Sequence, residues 1–212
     1  MIKKLLYLTV LLTINLLSYG QRLDARAHIG FSILELATEQ SEAIINGVSY
    51  ETSLRGRPGL QSGLALTIGE RFYVQPGIQW TSWSQKIIHT NMVTNEDNID
   101  QVKMSTVSVP IKVGTRLLSK ESTNLINIRV FGGLDGHHIQ TVNHRTKSGL
   151  IGDLTVDDYS QLIVNADLGM GADFLFMFAD IGYQIGLTST THGVDKAKVN
   201  AFYTNFGFRL KF

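Results

Sequence analysis

The sequence predicts an all-β protein: an eight-stranded antiparallel up-and-down transmembrane β-barrel with four long outer loops and short periplasmic turns. Three observations predict it. The last eleven residues alternate, with Phe202, Phe206, Phe208, Leu210 and Phe212 on one parity and Tyr203, Asn205, Gly207, Arg209 and Lys211 on the other. Period two is a strand with one apolar and one polar face. The first twenty residues read as an export signal, and the segments between alternate in the same way, joined by connections that are short and long in turn.

The signal has Lys3 and Lys4 as its basic start, Leu5 to Leu17 as its apolar stretch and Ser18-Tyr19-Gly20 as its small-residue end. Cleavage before Gln21 follows, since the apolar stretch is short for a membrane helix. The expected division is residues 1–20 as signal and 21–212 as one barrel domain. Loss of the two lysines tips a balance of 19 basic and 18 acidic residues to a net negative charge. Such a chain has no basic surplus for nucleic acid. The absence of cysteine excludes disulfides, cysteine-held metal and a lipid on an N-terminal cysteine.

Eight segments carry the alternation: 25–33, 60–68, 72–80, about 102–117, 125–134, 162–172, 177–187 and 202–212. Each supplies the ~9–11 residues a tilted strand needs to cross a bilayer. Gly69 to Arg71, Leu118 to Asn124 and Asp173 to Phe176 are the short turns. The long connections then face outward. Pro76 and Pro110 fall inside segments and each removes a ladder donor, so a bulge is expected at both.

Alternation alone leaves open which face is inside; a soluble lipid-binding barrel would show a similar pattern. The export signal and Trp80 with Trp83, as interfacial aromatics, favour the apolar face outward. The inward face then receives Arg26, Lys112, Arg116, Arg129, Asp167, Asp180 and Arg209 as a structural polar network, with glycines making room. Buried charges need partners, so the two aspartates should meet the basic residues. Basic residues outnumber acidic ones on this face, which raises the alternative of a narrow small-solute channel.

Several pieces together resemble the PorT-like outer-membrane β-barrel family of Bacteroidetes: the Gly59 to Gly69 segment, FYVQPGIQW from Phe72, VSVPIKVG from Val107, FGGLDG from Phe131, DLGMGAD from Asp167, ADIGYQIGL from Ala179 and FGFRLKF from Phe206. The resemblance spans the mature chain. It implies an OmpA-like eight-stranded barrel in the cell outer membrane, with some members linked to type IX secretion. No catalytic motif and no cofactor come with it.

No enzymatic or metal-binding pattern is compelling. His137 and His138 are neighbours and would face opposite ways on a strand. His144 with Asp157-Asp158 lies on an outer loop, and Asn95 to Asp100 reads as a solvated acidic tip rather than a calcium loop. The expected partners are outer-membrane lipid, the barrel-assembly machinery and secretion-system or cell-surface proteins. Phe206, Phe208, Leu210 and Phe212 form the assembly signal, because strand addition reads alternate side chains. Arg209 and Lys211, pointing inward, are expected to matter less. Phe208→Lys places a charge in lipid at ~2–4 kcal/mol and should reduce the heat-modifiable protein recovered from outer membranes.

Overall fold

The computed structural model describes residues 22–36, 41–45, 48–118, 126–145, 162–188 and 198–212, so the expected signal and Asp157-Asp158 lie outside the described residues. Its strands are β1 (Leu23–Leu36), β2 (Ser41–Ile45), β3 (Val48–Ile68), β4 (Phe72–Asn91), β5 (Asp97–Arg116), β6 (Ile126–Arg145), β7 (Leu162–Phe174), β8 (Met177–Gly186) and β9 (Val199–Lys211). Neighbours pair antiparallel in chain order, and β1 closes the ring by pairing with both β9 and β3. The barrel has eight strands. The short β2 pairs with the outer end of β3, from Ser41 opposite Thr52 to Ile45 opposite Val48.

The expected faces are the observed ones across the membrane belt. Ile29, Phe31, Leu64, Phe72, Ile78, Val109, Ile111, Val113, Leu168, Phe206, Phe208 and Leu210 are all exposed on the outer wall. Arg26, Arg116, Arg129, Asp167 and Arg209 are each at most 3% exposed, inside it. A soluble barrel would hide the first group and expose the second, so this one spans a membrane. Phe176 and Phe208 stack at 6.0 Å near the periplasmic end, and Arg71 lies over Phe72. Those aromatics, with Phe212, make the lower girdle.

Strand length departs from expectation. β3, with 21 residues, and β4, β5 and β6, with 20 each, are far longer than a bilayer requires. At ~3.3 Å per residue about half of each stands beyond the outer surface. Much of what reads as three long loops is therefore strand. The β4–β5 hairpin closes in a tight turn, where Asn91 Oδ1 accepts from the Val93 and Thr94 amides at 2.8 and 3.2 Å and Asn95 takes a left-handed φ of 54°.

The faces exchange character where the strands leave the membrane. On β5, Val107 to Val113 point apolar groups outward, with Ser108 and Lys112 inside. Four residues above Val107, Lys103 is outside while Val102 and Met104 are buried inside. Leu34, Trp83, Ile87, Val102, Met104, Ile139, Ile163 and Ala201 form one core there, with Val142 packed against it. Water, not lipid, surrounds this part, so burial drives apolar groups inward as in a soluble protein. Trp83 is 1% exposed and belongs to this cap; only Trp80, at 42%, faces outward as an interfacial aromatic should.

Neither Pro76 nor Pro110 makes a bulge. Register is unbroken from Phe72 opposite Thr115 to Thr90 opposite Asp97, and both prolines fit by leaving ladder rungs unformed. Their neighbourhood is small: a Cβ on Gly77 would lie 3.3 Å from the Pro110 ring. The bulges come elsewhere. One lies between Arg57 and Leu60, at Pro58-Gly59, and puts Arg55 and Arg57 on the outside. The other is at Gln140, between Ile139 opposite Thr106 and Thr141 opposite Ser105. Both sit at the exchange of faces.

Trp83→Ala should empty the cap and cost ~3–5 kcal/mol, read as a lower urea midpoint of the detergent-folded barrel. Trp80→Ala, facing the membrane, should move it far less.

Candidate functional site

The lumen holds the unusual chemistry, and it is built in tiers from the periplasmic end. Inward positions alternate along every strand, so each tier gathers side chains from strands far apart in sequence. The lowest tier centres on Asp173, which is fully buried. Its carboxylate accepts both Arg26 Nη1 and Nη2, at 3.0 and 3.1 Å, and Arg209 Nη1 at 2.7 Å, and Arg129 Nε lies 3.0 Å away. Arg129 also donates through Nη2 to Asp180 at 2.5 Å. Asp24 takes Arg22 at 3.1 Å and Arg116 at 3.0 Å, with Arg26 at 3.8 Å. Arg116 further donates to the Gly69 and Glu70 carbonyls of the β3–β4 turn, and Arg209 to the Leu175 carbonyl of the β7–β8 turn.

Above this floor Lys112 ends 2.7 Å from Asp167 and donates to the Tyr203 hydroxyl at 3.0 Å, and that hydroxyl donates to Asp167 at 2.8 Å. The ammonium also sits 4.9 Å from the Phe131 and Tyr203 ring centres. Arg26 and Arg129 cover Phe178 in the same way, and Arg116 covers Tyr73. The rings reach across because Gly114 and Gly182 lie under them: a Cβ on either would strike the Tyr73 or Tyr203 ring.

A neutral tier follows. Gln61 donates to Asn205, Gln79 to Gln61 and Thr81, and the His28 ring meets Gln79 at 3.1 Å. Beside it Gln184 donates to Asp135 at 3.0 Å, and His137 Nε2 lies 3.2 Å from the same carboxylate. The Trp83 ring stands 5.0 Å from His137 and begins the apolar cap. Beyond the membrane, burial holds His89 below its ordinary titration range against the opposing pull of Asp100, 3.8 Å away.

Every lumen residue expected from the sequence points inward, and Asp167 and Asp180 both meet cations. The expected basic excess is absent. Asp24, Asp135 and Asp173 are buried in the lumen beside Asp167 and Asp180, against Arg26, Lys112, Arg116, Arg129 and Arg209. All three missed aspartates fall just beyond the apolar runs that define the segments. Their parity was the available signal: Asp173 continues the inward series of Asn165, Asp167, Gly169 and Gly171. Arg209 is also more than a spectator, since it completes the Asp173 cluster.

The other chemical candidates do not assemble. His137 is inside and His138 outside. Asp97 is exposed and accepts from Thr90, while Asp100 is buried on the opposite face. Among the described residues, no three His, Asp or Glu side chains are placed to hold a metal.

Asp173→Ala leaves three guanidinium groups short of their counter-charge and should destabilise the barrel by ~3–5 kcal/mol or more, by the measured cost of breaking buried pairs. Asp180→Ala, which strands one arginine that keeps Asp173, should cost less. Denaturant unfolding in detergent, read by heat-modifiability, ranks them. Arg209→Ala should rank with Asp180→Ala and well above Lys211→Ala, whose side chain is exposed.

No family model matches the chain, and no curated protein is detectably similar to it. Among solved structures, the outer membrane protein OprG from Pseudomonas aeruginosa shares 12% identity at a TM-score of 0.53, covering 91% of this chain and 96% of that one. Neisserial surface protein A, at 10% identity and a TM-score of 0.45, covers 90% and 97%. The Ail protein of Yersinia pestis, at 10% and 0.44, covers 90% and 99%. At these identities the likeness to OprG is one of fold. With the apolar belt and the charged interior, it supports an integral outer-membrane β-barrel protein.

Proposed function

We propose that the chain is an exported, non-catalytic outer-membrane barrel of the PorT-like kind that works as a structural and interaction protein through its outer hairpins. The observation that carries this reading is the rigid outward prolongation of β3 to β6. Its β4–β5 tip presents Val93 at 80% and Met92 at 50% exposure beyond the apolar cap. Apolar groups displayed on an ordered hairpin are suited to protein contact. An accessory role in type IX secretion fits such a surface, with a neighbouring outer-membrane protein as partner.

A narrow channel is the rival reading. The tiers oppose it: paired charges fill the lower lumen and an apolar core fills the outer end, leaving a small barrel plugged by its own side chains. Planar-bilayer recordings of the purified barrel should show no steady conductance. A stable ohmic conductance would transfer the assignment to transport.

For the interaction reading, a photo-crosslinker at position 93 in native membranes should capture a discrete protein partner. The Met92→Ser, Ile99→Ser pair should weaken that capture without changing the heat-modifiable barrel. Capture of lipid alone would remove the hairpin from the account.

A further inference from the structure

Just above the membrane belt, the outer face of the long hairpins carries a block of cations. The bulge at Pro58-Gly59 turns Arg55 and Arg57 outward, onto the face that holds Lys86 and Lys103. Ladder register sets the four in adjacent rows. Arg55 stands opposite Lys86, and Lys86 opposite Gln101; Arg57 stands opposite Ser84, and Ser84 opposite Lys103. At ~4.8 Å between strands and ~3.3 Å per residue, the four backbone positions fall within roughly 10 Å by 7 Å. Arg55, Arg57 and Lys103 are exposed and Lys86 is half-buried.

The protein does not neutralise this block from within. Among the described residues, none of the four makes an ion pair. Glu51 and Asp97, the acidic side chains described on this face of the ladder, stand two rows higher, on either side of Thr90 and beyond Ile88 and Ile99. Asp97 is already engaged by the Thr90 hydroxyl at 2.7 Å. In backbone register, β6 extends the upper row with Arg145, opposite Gln101, and β1 brings Glu35 to the other flank, opposite Asn200. Like charges directly opposite on a ladder weaken it, so Arg55 against Lys86 costs the sheet stability that a bound anion would restore.

Height and direction identify the anion. Strand side chains stand perpendicular to the sheet, so these four point sideways, over the membrane surface. Their rows lie four and six residues above Trp80, which marks the interface opposite Val107. That is ~10 and ~15 Å higher for a strand tilted by ~40°. The headgroup zone of a bilayer is only ~5–8 Å deep on each side. A phosphate at glycerol height lies beneath both rows, whereas one carried on a sugar headgroup reaches them.

We propose that this block binds a phosphorylated glycolipid of the outer leaflet, its acyl chains on the wall below Trp80 and its sugar-borne phosphates between the two rows. The inference rests on the membrane-spanning reading of the barrel and is independent of the β4–β5 tip.

The test is native mass spectrometry of the full barrel folded in a non-ionic detergent, with diphosphoryl lipid A, its dephosphorylated counterpart and phosphatidylglycerol as probes. Wild type should retain diphosphoryl lipid A roughly tenfold better than either of the others. Cations beside an anionic surface contribute about fivefold each, so Lys86→Gln with Lys103→Gln should weaken retention roughly thirtyfold, as should Arg55→Gln with Arg57→Gln. Without lipid, both pairs of changes should leave the urea midpoint at the wild-type value or raise it. A lowered midpoint would mean that the cations serve the fold instead, and would overturn the proposal. So would equal retention of phosphatidylglycerol or of the dephosphorylated lipid, unchanged retention in the variants, or equally tight binding of a sulfated oligosaccharide that lacks acyl chains. Heat-modifiability of the same samples reports separately on whether the barrel itself is right.

Discussion

Asp173 is the constraint on which the membrane-spanning half of this protein depends. Three arginines, from β1, β6 and β9, converge on its carboxylate at 2.7 to 3.1 Å. Burying the three together without it would be far costlier, because desolvating an ion costs several kcal/mol that only a close counter-charge offsets. One aspartate cannot balance three cations, so the network spreads. Asp180 takes the surplus of Arg129, and Asp24 takes Arg116 and part of Arg26. Strands distant in sequence are thus tied across the barrel axis by charge, while backbone ladders tie only neighbours around its circumference. The arginine stems and the rings they cover fill the space between, which is why the lumen is a core rather than a passage.

The two halves of the long hairpins obey opposite rules with one backbone. Inside the belt the solvent is hydrocarbon, and paired polar groups go to the axis. Above it the solvent is water, and Trp83, Val102, Met104 and Ile139 go there instead. The bulges at Pro58-Gly59 and Gln140 sit at the boundary between the two regimes. A strand in perfect alternation would carry its inward parity straight through; an extra residue lets a strand change parity there. Pro76 and Pro110, deep in the belt, leave the register alone because a flip there would turn charge into lipid.

How much of this was legible in the sequence follows from the same physics. The membrane belt was, because Phe206, Phe208 and Leu210, or Val109, Ile111 and Val113, alternate against a single uniform solvent. The tops of β3, β4 and β6 were not, and that of β5 was only from about Val102. Once the outer face turns polar and the inner face apolar, period-two counting sees a pattern broken by bulges and reads it as loop. Trp83 was misplaced for that reason: three residues from Trp80, it looked like a second interfacial ring. Asp173 was hidden differently. It lies at a strand end among turn residues, and although parity turns it inward, the three arginines it meets come from strands distant in sequence. The pairing of Asp167 with Lys112 was legible only as a need for some cation; its identity is set by cross-strand register.

The exchange of faces on β5 between Lys103 and Val107 is a draught mark. It fixes how deep the barrel can sit. In a thicker bilayer Ser105 and then Lys103 would be carried into hydrocarbon; in a thinner one, Trp80 and Val107 would stand in water. Most membrane proteins absorb such mismatch by tilting, at a fraction of a kcal/mol per ångström. Here tilting would immerse one side of a rigid apolar-cored sheet and lift the other. The protein is therefore matched to one membrane thickness, and will gather lipids of that length around itself or favour the regions that already have them.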